Sequence, residues 1–352
     1  MSVRNGAPHL REGIDSLLAQ SFTDFELVVV DDASTDATPA ILAGITDPRL
    51  RVLRAESNLG AAAARNLGFA ACRGEYLAIL DHDDLCRPGR LAAQVDFLDR
   101  DPGVVLLGTE IRILRGGRLH APDHAPGGAP LLLRWRLHVD NPLTFSSVMM
   151  RAEAVRRLGG FLRPGLSEDY DLYHRLLRLG EIARLDAVLT VWRAHPGNVS
   201  AVAPEAMLRG AVAVLAPAIA PWLGEEEAPA AAALIIRHLS ERQPVADAAT
   251  LDRLGAVLER LVEGFCASHA GGEEDRDLLH AQASQDWWRA VRAGARGGRA
   301  ALLRQWWSRP LLRRGFRPPP ADLLMTLGLG LARGGRAALA RKPSSGGGKN
   351  GA

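Results

Sequence analysis

The stretch YLAILDHDDLCRPGRL, residues 76–91, runs an apolar strand straight into Asp81, Asp83 and Asp84 and then through a Pro-Gly pair toward a helix. Three carboxylates within four residues repel one another and lose hydration unless water, a cation or hydrogen-bond donors compensate them. A solvated turn meets that demand, and so does a bound cation. The flanking sequence has to choose between them.

Upstream, FELVVVDD (25–32) is a compact Val-rich run, as expected of a strand covered on both faces. STDATPAILAGI follows as a helix, with Ser34 or Thr35 as its cap. RLRVLRA (49–55) reads as a second strand, the Ala-rich NLGAAAARNLGFAAC (58–72) as a helix, and GEYLAIL (74–80) as a third strand. RPGRLAAQVDFLDRD (87–101) is a helix with Pro88 near its start, and GVVLLGTEIRIL a fourth strand. Alternating strands and helices predict an α/β fold: a mostly parallel, nucleotide-binding type of sheet with flanking helices. In such sheets ligands bind beyond the carboxyl ends of the strands. Asp31 and Asp32 end one strand and Asp81 and Asp83 another, so both pairs are expected to face one crevice, which weakens the case for a plain solvated turn.

A second cluster follows. TFSSVMMRAEAVRRLGGF (144–161) suggests a strand, a helix and a Gly-Gly stop. LSEDYDLYHRLLRLG (166–180) suggests a helix opened by Ser167, with Glu168, Asp169 and Asp171 in its first turn, where the helix dipole alone would favour acids. ARLDAVLTVWRAHPGNVS (183–200) ends the regular pattern, with Arg193 and His195 beside a Pro-Gly turn.

These motifs, in this order and spacing, resemble those of the family 2 inverting glycosyltransferases of the glycosyltransferase-A fold, over roughly residues 3 to 200. The resemblance rests on NGAPHLREGIDSLLAQSFTDFELVVVDDASTD, NLGAAAARNLGFAACRGEYLAILDHDDLCRPGRL, SSVMMRAEAVRRLGGF and SEDYDL. It implies a sugar transferred from a nucleotide-sugar donor, a UDP- or GDP-sugar, to a glycan, lipid-linked or protein acceptor. Asp32 matches the acid that contacts the nucleotide base, and Asn5 and Arg65 fall in donor-facing segments. Asp81 and Asp83 match the Asp-x-Asp signature, with Asp83 the direct ligand of Mg²⁺ or Mn²⁺. Asp169 matches the catalytic base, and His195 a histidine that approaches the metal or diphosphate. Such a cation would answer the demand of the acidic turn.

Two departures stand out. Relatives begin with a central apolar strand before the Pro-x-x-Asn-like turn; here MSVRNGAPHL places Arg4 and Asn5 in that turn, and the strand is expected to be missing. Either the natural start lies upstream or the gene product is impaired. His82 sits inside Asp-x-Asp where small residues are usual, either as an added ligand or as filling.

The composition bounds the rest. With 352 residues and 47% hydrophobic content the chain is expected to hold a globular catalytic domain over 1–200, an α-helical region over 201–342 and a disordered tail over 343–352. No uninterrupted apolar run approaches the roughly 18 to 20 residues of a spanning helix, and no secretory signal is visible. Cys72, Cys86 and Cys266 are odd in number and widely spaced, which fits packing residues in a reducing cytoplasm.

The net charge of +3 hides an asymmetry: residues 1 to 200 carry 23 basic and 25 acidic side chains, whereas from Trp287 onward 14 Arg and Lys face one acid, Asp322. Within residues 203–265 the pattern is helical with a break at GEEEAP, and GGEEDRD (271–277) reads as a solvated linker. Segment 285–317 holds four of the seven Trp and nine Arg. On a helix Trp288, Val291, Ala295, Leu302 and Trp306 share one stripe, beside Arg289, Arg292, Arg296 and Arg299. That is the composition of an interfacial helix on an anionic membrane, peripheral on its inner face, and equally of a helical lid with a basic outer face. No nucleic-acid partner is expected, because no binding module accompanies the charge. Two other functional readings stand beside the transferase: a haloacid-dehalogenase-type phosphatase, which also uses Asp-x-Asp, and a degenerate transferase domain kept as a scaffold.

Overall fold

The computed structural model describes residues 1–122, 128–162, 167–198 and 202–340. It divides into two compact units, Met1–Ala218 and Ile219–Ala352.

In the first unit β1 (Ser2–Val3), β2 (Leu27–Asp31) and β3 (Leu50–Arg54) form a parallel sheet in that order. All five residues of β2 are buried, as the Val-rich run demands. Helices α1 (Leu10–Leu18), α2 (Thr38–Ala43) and α3 (Ala61–Ala71) alternate with these strands. Leu10, Ile14 and Leu17 of α1 recur at helical spacing and pack with Leu27, Val29 and Leu80 in one core.

A second sheet holds β4 (Tyr76–Ala78), β5 (Leu85–Cys86), β6 (Val104–Arg115), β8 (Met149–Arg151) and β9 (Glu181–Arg193) in the order β4-β8-β6-β9-β5, with β7 (Arg118–His120) paired to β6. Its helices are α4 (Arg90–Arg100), α5 (Pro130–Arg136), α6 (Ala152–Arg157) and α7 (Glu168–Leu176).

The α/β class therefore stands, with a different strand direction from that expected. Parallel pairing is confined to β1-β2-β3 and β6-β9, and the remaining pairs run antiparallel. The cause lies in two segments, one expected as a strand without its pairing and one expected to be irregular. Residues 149–151 enter between β4 and β6 against both of them. Residues 181–193, expected to be the end of regular structure, form a thirteen-residue strand whose register against β6 slips near Thr109 and Glu110.

Of the expected first strand, the two residues of β1 are present and pair with β2. Ser2 and Val3 lie opposite Val30 and Asp31, and the Met1 ammonium donates to the Val28 carbonyl at 2.9 Å. Beyond Met1, the space between β2 and β4 is a cavity of about 400 Å³ lined by Leu27, Val28, Leu77 and Ile79 among others. Neither Ser34 nor Thr35 caps α2. Ser34 Oγ accepts from the Asn5 amide, and it is the Asp36 carboxylate that accepts from Thr38 N at 2.9 Å.

Among the described residues, the second unit is helical: α9 (Ala228–Ile235), α10 (Ala248–His269), α11 (Glu273–Arg296), the short α12 (Gln305–Ser308) and α13 (Pro320–Ala340), after α8 (Pro204–Leu223), which straddles the division. By length and composition α8 is able to cross a membrane, although Glu205 and Arg209 interrupt it. Its Leu208, Val214, Leu215, Ile219 and Leu223 are buried while Pro204, Ala213, Pro217 and Pro221 are exposed, the pattern of a helix packed along one side. The expected linker at 271–277 is instead the start of α11, with Glu273, Glu274 and Asp275 in its first turn, where the dipole stabilises them.

The Trp-rich segment is also reassigned. Trp287, Trp288, Val291, Ala295, Leu302 and Trp306 are all buried, and Trp307 alone of the four Trp is exposed. The helix stops at Arg296 before Gly298, whose positive φ of 95° breaks the stripe in two. Trp288 Nε1 donates to Asp322 at 2.9 Å, and Arg292 and Arg296 pair with the same carboxylate. The stripe is core rather than an interfacial face. The expected disordered tail lies outside the described residues.

One side chain fixes where the acidic turn begins. Arg90, fully buried at the start of α4, donates through Nη2 to the carbonyls of Ile79 and Val148 at 2.9 and 3.0 Å. Its Nε holds Gln94, whose amide donates to Leu107 and Ser147 at 2.9 and 3.0 Å. The Val148 carbonyl also accepts from the Ile79 amide at 3.0 Å, so Arg90 and Gln94 add side-chain donors that tie the ends of β4 and β8 to β6. Arg90→Met keeps the volume and removes the charged donor from the Ile79 and Val148 carbonyls. The expected loss is about 3 kcal/mol of unfolding free energy, read as a lower urea midpoint; an unchanged midpoint would refute the role.

Candidate active site

Asp32, Arg65, Asp81, Asp83, Glu168 and Asp169 line one cavity of about 540 Å³ in the first unit, with Arg4, Trp192 and Asn198 on its walls. That volume suits a small molecule. The convergence of two acidic strand ends, expected from the sequence, is realised by Asp32 with Asp81 and Asp83. Asp31 is not on the wall: it is buried, accepting from Ser34 N at 3.0 Å, with Arg54 at 3.7 Å.

Asp32 follows β2, and its two oxygens accept from Leu59 N and Gly60 N at 2.6 and 3.1 Å. It thereby sets the entry of α3, which carries Arg65 one turn further on. Asn5 does not line the cavity. Held at a φ of 52°, it is exposed and its side chain accepts from Thr35 N at 2.8 Å, so it joins the turn after β1 to the loop after β2.

The acidic turn is held from three sides. The Asp81 amide donates to Ser146 Oγ at 3.0 Å. Arg193, at the end of β9, donates its amide to Asp84 at 2.7 Å, its Nε to the Asp83 carbonyl at 2.8 Å and its Nη2 to Glu12 at 2.5 Å. On the third side α1 lies against the turn, where a Cβ at Gly13 would stand 3.0 Å from the His82 carbonyl. Burial, then the charges of Asp81 and Asp83, push the Asp84 carboxyl well above its ordinary range. Asp84 is therefore a structural member of the turn. The His82 ring packs over Gly6, where a Cβ would approach to 2.5 Å, so it fills space beside the turn after β1.

Asp83 Oδ2 accepts from His195 Nε2 at 2.9 Å and from Asn198 Nδ2 at 3.4 Å. The Gly197 amide donates to His195 Nδ1 at 3.1 Å, which assigns the imidazole proton to Nε2. A carboxylate and an imidazole that share one proton are able to hold a divalent ion in its place. Among the described residues no three His, Cys, Asp or Glu side chains gather as a closed ligand set. Such a sparse set suits Mg²⁺ or Mn²⁺, which keep several waters and take substrate phosphate oxygens as ligands.

Arg65 donates to Asp81 at 3.2 Å and to Glu168, with its guanidinium 4.4 Å from the centre of the Phe145 ring. Burial works against its charge, but Asp81, Glu168 and Asp169 outweigh that and raise its pKa. Arg65 lies on the cavity wall, and its charge is already shared by two acids.

Asp169 lies in the first turn of α7, after Ser167 at a φ of 73°. Ser167 precedes the helix without capping it through its side chain. Asn141 Nδ2 donates to Asp169 Oδ2 at 3.0 Å. Burial, then the neighbouring Glu168, pushes the Asp169 carboxyl up to about 6. A carboxyl in that range is poised to take and release a proton near neutral pH. Arg90, Asn141, Ser146 and Asn198 escaped sequence reasoning. Asn141 and Asn198 each sit beside a Pro or Gly turn, the one local cue they carry.

Against known proteins, residues 1–159 match the family model "Glycosyl transferase family 2". The chain is 46% identical over 95 residues to "Succinoglycan biosynthesis protein ExoO" of Rhizobium meliloti (strain 1021), a match covering 27% of each protein. It is 32% identical over 191 residues to "Putative glycosyltransferase EpsE" of Bacillus subtilis (strain 168), covering 51% of this chain and 66% of that one. The chain thus spans about a quarter of the first relative and just under two thirds of the second. Among solved structures, S. aureus TarS 1–349 in complex with UDP-GlcNAc superposes with a TM-score of 0.56 at 21% identity, over 83% of this chain and 88% of that one. The α/β fold followed by a helical region agrees with this match.

The raised Asp169 carboxyl has a consequence for stability. Between about pH 4 and pH 6 the folded chain keeps a proton that the unfolded chain has released, so Asp169 lowers stability as pH rises through that window. Asp169→Asn removes the effect. Its urea midpoint is expected to exceed that of the wild type at about pH 8 and to converge with it near pH 4; a variant less stable at both would contradict the burial argument.

Proposed function

Residues 1–159 match the glycosyl transferase family 2 model, and on that premise we propose that the chain moves a sugar from a nucleoside-diphosphate-sugar to an acceptor hydroxyl with inversion at the anomeric carbon. The observation that carries this reading is the half-buried Asp169, with its carboxyl near 6, on the wall of the same cavity as the Asp81–Asp83 turn. In the proposed reaction Asp169 takes the proton of the acceptor hydroxyl as that oxygen attacks the anomeric carbon. The bond from that carbon to the diphosphate oxygen breaks, and the nucleoside diphosphate leaves with the electron pair. A single displacement inverts the centre.

The surrounding residues prepare these groups. Asn141 engages one Asp169 oxygen and so fixes the carboxylate plane, leaving the other oxygen for the acceptor. Arg65 neutralises Glu168 and Asp81, which otherwise would raise the Asp169 carboxyl further. Asp32 orders the loop at the start of α3 and is the candidate for recognition of the nucleotide base. Mg²⁺ or Mn²⁺, held by Asp83 with His195, would supply charge compensation for the diphosphate when bound. The UDP-GlcNAc in the TarS complex supports a uridine diphosphate-sugar as the first donor to test. The likeness to a succinoglycan biosynthesis protein supports a polysaccharide acceptor.

The test is calorimetric titration of the full chain with UDP and GDP, with and without Mn²⁺, beside Asp83→Ala. Metal-dependent binding of one nucleotide, weakened at least about tenfold in the variant, is the expected result. A folded protein that binds neither nucleotide would overturn the proposal. With a donor in hand, kcat/KM is expected to rise with pH through about 6 and level off above it, because the base acts deprotonated; a profile flat between pH 5 and 8 would remove Asp169 from that role.

A further inference from the structure

Helix α13 presents an outer surface that the transfer reaction does not use. Thr326 and Gly330 are its buried positions, and a Cβ at Gly330 would stand 2.6 Å from the Ala295 carbonyl. At Gly334 a Cβ would stand 2.7 Å from the Gly298 carbonyl, so the helix lies backbone-close on α11 and the turn after it. Asp322 also points inward, to Trp288, Arg292 and Arg296.

Everything else from residue 321 to 332 except the partly buried Leu323 is exposed: Ala321, Leu324, Met325, Leu327, Gly328, Leu329, Leu331 and Ala332. Leu324 is 71% exposed, Leu331 61% and Met325 56%. Three turns of outward surface thus carry no charge and five large apolar side chains, where a solvated helix carries polar ones.

The end of this face is basic. Arg333 and Arg336 are exposed on the next turn, and exposed Arg299 follows Gly298, against which Gly334 packs. None of the three has a carboxylate within ion-pair distance among the described residues, and Arg341 and Lys342 follow in sequence. Apolar side chains bounded by cations complement a surface that is negative outside and apolar within.

We propose that α13 is the surface by which this chain docks on an anionic lipid bilayer, with Leu324, Met325, Leu327 and Leu331 entering the acyl boundary and Arg299, Arg333 and Arg336 on the headgroups. The site replaces the buried Trp stripe as the membrane-facing element, and it holds whether or not the first unit transfers sugar.

The experiment is co-sedimentation of the full chain with phosphatidylcholine vesicles, with and without about 30% phosphatidylglycerol, at low salt and at about 0.5 M. The wild type is expected to sediment with the anionic vesicles at low salt, and much less with the neutral ones or at high salt. The double variant Leu324→Asp/Leu331→Asp is expected to lower the bound fraction at least about tenfold, and Arg333→Glu/Arg336→Glu several-fold. Both pairs are exposed, and unchanged far-ultraviolet dichroism checks their fold. Failure of the wild type to sediment, or equal sedimentation of the leucine variant, overturns the proposal. So does a dimer in light scattering that survives the vesicles and is split by the leucine variant, which assigns the face to a second copy.

Discussion

A buried guanidinium that holds two strand-end carbonyls is the interaction on which the first unit turns. Arg90 and Gln94 donate to four carbonyls, those of Ile79, Leu107, Ser147 and Val148, and so tie β4, β6 and β8 together where the acidic turn begins. A charge placed there is costly: burial pulls the Arg90 pKa down, and only Cys86 and Asp84 work the other way. The arrangement persists because removing it would leave several polar groups dry. It also defines the point at which β4 stops and the chain enters the acidic turn.

Everything chemical is built outward from that point. The turn is gripped by Ser146 from the strand β8 side, by Arg193 from β9 and by the bare Gly13 of α1, so the backbone of residues 81–84 is over-determined from three elements. Its carboxylates are then divided by environment. Asp81 is matched to Arg65, Asp83 to His195 and Asn198, and Asp84 is buried with an amide donor. Opposite them Glu168 takes the other half of Arg65, leaving Asp169 with an amide donor and, among the described residues, no ion pair. Asp169 thereby holds its proton more tightly than an ordinary carboxyl, which is how a site keeps one acid reactive while its neighbours serve as scaffolding.

The parts of this design that were legible in the sequence are those set by local pattern. The Val-rich run gave β2, the Ala-rich run α3, and the acids after two strands gave the cavity wall. Illegible parts depend on distant partners. The segment 183–193 looked irregular because its long partner β6 imposes a register with slips that no periodicity announces. Glu273 to Asp275 looked like a linker because acids in a first turn and acids in a loop have the same composition. Trp288 and Trp306 shared a helical stripe with Arg beside it, and only the presence of Asp322 on a helix thirty residues on shows that the stripe faces inward. Asn5 sat where a ligand contact was expected, yet its amide oxygen is occupied by Thr35.

The packing of His82 over Gly6 couples two positions seventy-six residues apart in sequence. A Cβ at position 6 would meet the imidazole at 2.5 Å and a methyl of Val3 at 2.4 Å, while the Gly6 amide and carbonyl are committed to Thr38 and to the first turn of α1. Bulk at 82 and the lack of a side chain at 6 are therefore one packing constraint rather than two. In descendants of this sequence, substitution at 6 becomes permissible only after 82 has shrunk and 3 has yielded, so the order in which mutations arrive decides which of them survive.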